Sequence, residues 1–239
     1  MPENYWNKNE KVLGVLGLSP YATIDFLRKV ADVTSGKKDW EHIRIKMDLN
    51  TKIPSRGRAL DYGEEDPTLY IKNSISDLVK RGADIIAIPC NTAQYFYSGF
   101  IKNINIPVLN IIEETSKYMM NQYPKICKVG VICSENTRKH KLYNKYTQNY
   151  GIEIISHENQ NEVKEIIEKV KIGNDGDVTK SQANNITENL IRNGAEGIIL
   201  GCTELPCVIN EKYYNVPVFD SNKILAISCI DRIKGQKNA

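Results

Sequence analysis

The stretch Gly82-Ala83-Asp84-Ile85-Ile86-Ala87-Ile88-Pro89-Cys90-Asn91-Thr92 has an ungapped counterpart 112 residues later, Gly194-Ala195-Glu196-Gly197-Ile198-Ile199-Leu200-Gly201-Cys202-Thr203-Glu204. Two further stretches echo at nearly the same spacing. Leu13-Gly14-Val15-Leu16 matches Val129-Gly130-Val131-Ile132 at 116 residues, and Ile106-Pro107-Val108-Leu109-Asn110 matches Val216-Pro217-Val218-Phe219-Asp220 at 110. Buried strands are all rich in valine and isoleucine, so a single match carries little weight. Three matches in the same order point to a duplicated half, and hence to two related domains facing each other.

The pattern between these stretches sets the class. Short apolar runs at residues 12–16, 43–47, 84–88, 107–109, 128–133, 153–155, 197–200 and 216–219 alternate with longer segments of helical period, such as 20–33, 68–81, 162–170 and 181–193. That alternation predicts an α/β fold with mostly parallel, doubly wound sheets. Ser19-Pro20 supplies an N-cap and a first-turn proline for the first helix. The expected division is a first α/β domain over residues 1–113 with Cys90 and a second over 114–217 with Cys202. Residues 218–239 then form a C-terminal helix that packs back on the first domain, and the active site lies in the cleft.

Length and charge narrow the function. At about 150 residues per domain, 239 residues make one large domain or two small ones with a sizeable core. The net charge is only +3 and the basic residues are scattered, so neither nucleic acid nor a membrane is the expected partner. A small anionic molecule remains open. Residues 1–11 are polar, unlike a secretory signal, and no apolar run approaches the ~18 residues of a membrane span. A cytoplasmic location is expected. The six cysteines then read as reduced thiols. None is paired in CxxC spacing and the three histidines lie far from all of them, which argues against a metal. Gly14-Val15-Leu16-Gly17 lacks the full dinucleotide fingerprint and no phosphate-binding loop is present, so neither NAD nor ATP is expected.

In both copies of the longest echo a buried strand ends at a cysteine followed by a polar pair, Asn91-Thr92 or Thr203-Glu204. Ligands of open α/β sheets bind outside the carboxyl ends of strands, where a following helix would offer free amides and a positive dipole end. Such a field lowers a thiol's pKa toward neutrality and makes it a usable base. Two thiols brought into one cleft from related halves suit inversion of a carbon stereocentre, because one base must take the proton from one face while an acid returns a proton to the other. Asn91, Thr92, Thr203 and Glu204 are then candidates to hold substrate. Cys127, Cys133 and Cys229 read as small buried hydrophobes.

Pro89-Cys90-Asn91-Thr92-Ala93 and Leu200-Gly201-Cys202-Thr203-Glu204 resemble the paired cysteine motifs of the aspartate/glutamate racemase superfamily, and the resemblance spans most of the chain. It implies racemisation of an acidic amino acid without pyridoxal phosphate or any other cofactor, and a homodimer. Residues 14–23 are similar to the family's opening strand-to-helix turn and include Ser19, with Tyr21 where an acidic residue is common. Ile53-Pro54-Ser55-Arg56 resembles the aspartate racemase segment whose arginine pairs with the substrate's side-chain carboxylate. Val170-Lys171-Ile172-Gly173-Asn174 resembles a segment bearing a second cationic contact. Cys133-Ser134-Glu135-Asn136-Thr137 resembles a strand-end loop and carries over Thr137 as a carboxylate contact. Gln94 and Glu204 stand where histidine is common in the superfamily and in glutamate racemases respectively, which brings the chain nearer the aspartate racemase branch. Three other readings stand beside this one: isomerisation of a diacid, a module that binds an anionic metabolite without turning it over, and a thiol redox protein bonding Cys90 to Cys202.

Overall fold

A computed structural model describes residues 10–235; the first nine residues of the polar opening and the last four of the expected C-terminal segment lie outside the described residues. The first half runs β1 (Leu13–Gly17), α1 (Pro20–Thr34), β2 (Ile45–Leu49), α2 (Arg56–Tyr62), α3 (Thr68–Lys80), β3 (Ile85–Ala87), α4 (Tyr97–Phe100), β4 (Val108–Leu109) and α5 (Ile111–Gln122). The second runs β5 (Lys128–Cys133), α6 (Glu135–Lys139), α7 (Asn144–Thr147), β6 (Glu153–Ile155), α8 (Gln160–Lys171), α9 (Asp177–Arg192), β7 (Gly197–Gly201), β8 (Val218–Asp220) and α10 (Ser221–Lys234). Their strands form two four-stranded sheets, ordered β2-β1-β3-β4 and β6-β5-β7-β8, and every strand pair is parallel. The α/β class and the duplication read from sequence are both present.

The duplication reaches individual hydrogen bonds. Gly82 and Gly194 both adopt a left-handed backbone, with φ of +83° and +89°. The next amide in each half, Ala83 or Ala195, bonds back to Leu78 O or Leu190 O, which closes the helix before it drops into the strand. A side-chain branch at either glycine would be strained, so both copies keep glycine. The strand order is equally conserved between halves: Ile86 N–H donates to Pro107 O and Ile198 N–H to Pro217 O, both at 2.8–2.9 Å.

Side chains alternate across each sheet. Ile85 and Ala87 of β3 and Ile199 of β7 join a central core shared with Phe26, Val30, Ile111, Met119, Leu225 and Cys229. Ile86 and Ile88 face a separate core under α3, and Ile198 and Leu200 face another under α8 and α9. Residues of α5 and α10 thus contribute to a core fed by both sheets. Asn110 caps α5 by accepting from the amides of Ile112 and Glu113; its echo Asp220 caps α10 from Asn222 and Lys223.

The division expected after residue 113 falls inside α5, and the segment expected from residue 218 opens with the edge strand β8, within the apolar run read at 216–219, before α10 begins. A sequence cannot see that a helix crosses between sheets, because its core-facing period is the same whichever sheet it covers. Helix α10 packs against α1: Asn222 Nδ2 donates to Ala22 O at 3.1 Å, and Lys29 bridges Asp25 and Asp220 at 2.5 Å each. No helix among the described residues is long and apolar enough to cross a membrane.

Candidate active site

Both echo cysteines line a single cavity of about 140 Å3. That is small beside the roughly 300–1,000 Å3 of pockets for drug-sized ligands, and fits a metabolite of a few non-hydrogen atoms. Its walls bring together Ser19, Arg56, Cys90, Asn91, Thr92, Lys171, Cys202, Thr203 and Glu204, nine of the ten residues singled out from sequence. Ser19 follows β1, Cys90 follows β3 and Cys202 follows β7, so the site sits beyond the carboxyl ends of both sheets.

Thr137 does not line the cavity. It is buried behind Thr92 and Ser134, and its hydroxyl lies 3.3 Å and 3.0 Å from theirs. Thr92 and Ser134 are themselves 2.9 Å apart, so three hydroxyls from the two halves form one cluster. Ser134, which sequence reasoning passed over in favour of Thr137, faces the cavity instead. A signal was there: Ser19 and Ser134 each follow the first strand of their half and each stands at a helix N-cap. Ser55, Gly57 and Asn136 were also missed, since nothing in the sequence announces that α2 lies over the second half. Asn136 Nδ2 donates to Asp61 Oδ2 at 3.0 Å, which ties α6 to α2.

Each turn after a cysteine is fastened differently. Asn91 is 3% exposed; its Oδ1 accepts from Tyr143 Oη at 2.7 Å and its Nδ2 donates to Ser221 Oγ at 3.2 Å. It therefore braces the Cys90 turn from both sides. Gln94 Nε2 donates to Cys90 O at 3.2 Å. Gly201, before Cys202, packs against the Tyr143 ring so closely that an added Cβ would lie 2.9 Å from Tyr143 Cε2 and 3.0 Å from Cys133 Cβ. Glycine is required there, whereas the first copy tolerates Pro89.

No α-helix begins directly after either cysteine. The chain enters 3₁₀ turns instead, at Thr92–Phe96, which runs on into the single turn of α4, and at Leu205–Cys207. Such turns present little dipole, and Cys202 is not lowered: burial, followed by the neighbouring Glu204 carboxylate, pushes its thiol well above the usual value against the pull of Lys171. The Cys202 Sγ–H donates to Glu204 Oε2 at 3.0 Å, and Ser19 Oγ donates to Glu204 Oε1 at 3.1 Å. Thr203 Oγ1 donates to Pro89 O at 3.3 Å, tying one cysteine turn to the other.

Two cations complete the cavity. Arg56 is the first residue of α2, where Ser55 Oγ accepts from the Arg58 amide. Arg56 Nη1 donates to Pro54 O at 3.2 Å, while its buried Nε has no partner among the described residues. Lys171 closes α8. Burial alone would depress its ammonium, but Cys202, Glu204 and Cys90 outweigh that and Arg56, so Lys171 is shifted upward and stays charged. Tyr21 leans on the backbone at Gly173, two residues beyond Lys171. Of the remaining cysteines, Cys133 and Cys229 are buried as expected, while Cys127 is exposed, because it precedes β5 at the sheet's outer end.

A family model described as Asp/Glu/Hydantoin racemase matches residues 15–229. The chain belongs to that family. Among curated relatives it is 29% identical over 232 residues to a protein of Bacillus subtilis (strain 168) named broad specificity amino-acid racemase RacX, covering 92% of this chain and 96% of that one. Among solved structures, an aspartate racemase of Picrophilus torridus superposes with a TM-score of 0.86 at 28% identity, covering 95% of each chain. A Francisella tularensis glutamate racemase in complex with D-glutamate shares the fold, with a TM-score of 0.66 at 17% identity over 96% of this chain and 84% of that one. These likenesses support amino-acid racemisation as this chain's chemistry.

Proposed function

We propose that this protein racemises an acidic amino acid, aspartate or glutamate, by moving a proton between the two cysteines across the substrate's α-carbon. The observation that carries the reading is the charge inventory of the small cavity. Two thiols from equivalent strand ends share it with two cations, Arg56 and Lys171, and one carboxylate, Glu204. An acidic amino acid is the mirror of that set, with two carboxylates and one ammonium.

One thiolate takes the α-proton while the opposite thiol delivers its own to the other face. Arg56 offers a planar fork to one carboxylate, with its unpaired Nε available. Lys171 neutralises the other, and the hydroxyls of Thr92 and Ser134 lie beside them. Cationic neighbours also favour the enolate-like charge that develops as the proton leaves. Proton transfer of this kind asks for no electron sink beyond these groups.

The test is proton NMR of L- and D-aspartate and L- and D-glutamate, each incubated with reduced protein in deuterium oxide without added cofactor. Alanine and lysine are included because the Bacillus relative carries a broad-specificity name. Loss of the α-proton signal with appearance of the opposite enantiomer on a chiral column is the expected result for the acidic pair. Absence of exchange with both acidic amino acids refutes the proposal.

A further inference from the structure

The two halves repeat one sheet order, but they are unequal in charge beside the two cysteines. Thr92 and Glu204 both stand two residues after their cysteine, 112 residues apart. Each is bonded to the strand-end serine of the opposite half: Thr92 to Ser134 at 2.9 Å, Glu204 to Ser19 at 3.1 Å. The cross-half contact is thus built twice, once with a neutral hydroxyl and once with a carboxylate. Only the carboxylate reaches back to its own cysteine, accepting from Cys202 Sγ at 3.0 Å.

We propose that Glu204 is a positioning residue that breaks the symmetry of the pair, holding Cys202 as the protonated thiol so that the resting enzyme carries its acid on Cys202 and its base on Cys90. The inference rests on the racemase reading for its catalytic meaning, but the protonation pattern stands by itself. A proton placed between a thiol and a carboxylate belongs to sulfur, because an ordinary carboxyl is about four units more acidic than an ordinary thiol. Glu204 is 3% exposed, so its charge acts on the sulfur with little screening by water. The other charged groups facing the pair are Lys171, from the end of α8, Arg56, from the start of α2, and Cys90 across the cavity. Lys171 and Arg56 oppose Glu204 and favour a thiolate somewhere in the cavity. Glu204 directs that thiolate away from Cys202, and the Cys90 turn contains no carboxylate to do the same.

The experiment reads each thiol separately, without substrate, so that a weakened substrate contact cannot be mistaken for a changed thiol. Iodoacetamide alkylation rates at Cys90 and Cys202 are measured by peptide mapping across a pH series, because the thiolate is the reacting form. In the wild-type protein the midpoint at Cys202 should lie above that at Cys90. In Glu204→Gln, which keeps the side-chain shape and removes the charge, the Cys202 midpoint should fall by about one pH unit or more, a rise of about tenfold in rate near neutrality. The Cys90 midpoint should stay or rise. Ser19→Ala removes a hydrogen bond to Glu204 but leaves the charge, so the Cys202 midpoint should stay high.

A Cys202 midpoint at or below that of Cys90 in the wild-type protein overturns the proposal without recourse to any variant. So does an unchanged midpoint in Glu204→Gln, or a Ser19→Ala variant that reproduces the Glu204→Gln shift. If the thiols titrate as expected but no amino acid exchanges its α-proton, it is the racemase reading that fails.

Discussion

Replacing Tyr143 by phenylalanine removes one oxygen atom that does not line the cavity, yet it should affect both stability and turnover. Tyr143 is 2% exposed, with its ring against Gly201, the residue before Cys202, and its hydroxyl bonded to Asn91, the residue after Cys90. Burial and the nearby Cys133 push its hydroxyl well above the ordinary tyrosine value, so it remains a donor at all working pH values. Phenylalanine keeps the ring contact and leaves Asn91 Oδ1 buried without that donor. A buried acceptor stripped of its partner costs about 1–3 kcal/mol. A central 2 kcal/mol corresponds to a melting point lower by about 4–8 °C for a chain of this size. If the strain is relieved by movement of the Cys90 turn, 1–2 kcal/mol appears in the barrier and kcat falls about 5- to 30-fold. Thermal denaturation followed by circular dichroism and racemisation followed on a chiral column measure the two effects. A melting point within about 1 °C of wild type, together with kcat within twofold, would refute the claim that this hydroxyl braces the site.

Other outcomes follow from the same geometry. Cys90→Ala and Cys202→Ala should each abolish racemisation as read by chiral chromatography, because one thiol cannot serve both faces; near-normal activity in either would remove the two-thiol mechanism. Arg56→Lys retains the charge but loses the planar fork, so KM for the acidic amino acid should rise by about tenfold or more, and an unchanged KM would place the side-chain carboxylate elsewhere. The buried thiols make stability fall in alkali. Burial pushes Cys133 up to about 12 and raises Cys229 further, so the unfolded chain releases these protons from about pH 8.5 while the folded one keeps them. Each thiol then costs about 1.4 kcal/mol per pH unit above that point, or about 4 kcal/mol for the pair by pH 10. Urea melts of Cys229→Ala should show the decline from pH 8.5 to 10 reduced by about half that amount, and an identical decline would mean that this thiol does not contribute.

The parts of the site legible from sequence were those that the duplication marked twice. Cys90 and Cys202 are visible because a buried strand ends at each, and a strand's apolar period is a local property. Arg56 and Lys171 were found through family likeness, since a lone cation looks like any solvated charge. Ser134 was passed over for Thr137 because the loop pattern names the residues without saying which hydroxyl turns toward the cavity and which turns behind it. Cys202 departed from expectation for a related reason. The strand-end position suggested an acidified thiol, but the chain continues into a three-residue 3₁₀ turn and places a buried carboxylate against the sulfur.

The sequence alone determined the α/β class, the duplication and the place of Cys90 and Cys202 at equivalent strand ends, because apolar periodicity and strand-end residues act over a few positions. The tertiary structure decided how the halves join. Helices α5 and α10 contribute to a core fed by both sheets, which places Arg56, Lys171 and both thiols around one cavity. It also decided the inequality of the two thiols. Glu204 and Thr92 are equivalent in the repeat, and only when Ser19 and Ser134 arrive from the opposite halves does the difference between a carboxylate and a hydroxyl become a difference in where the proton rests. That outcome depends on distance and burial between groups up to 185 residues apart in the chain, which no local pattern encodes.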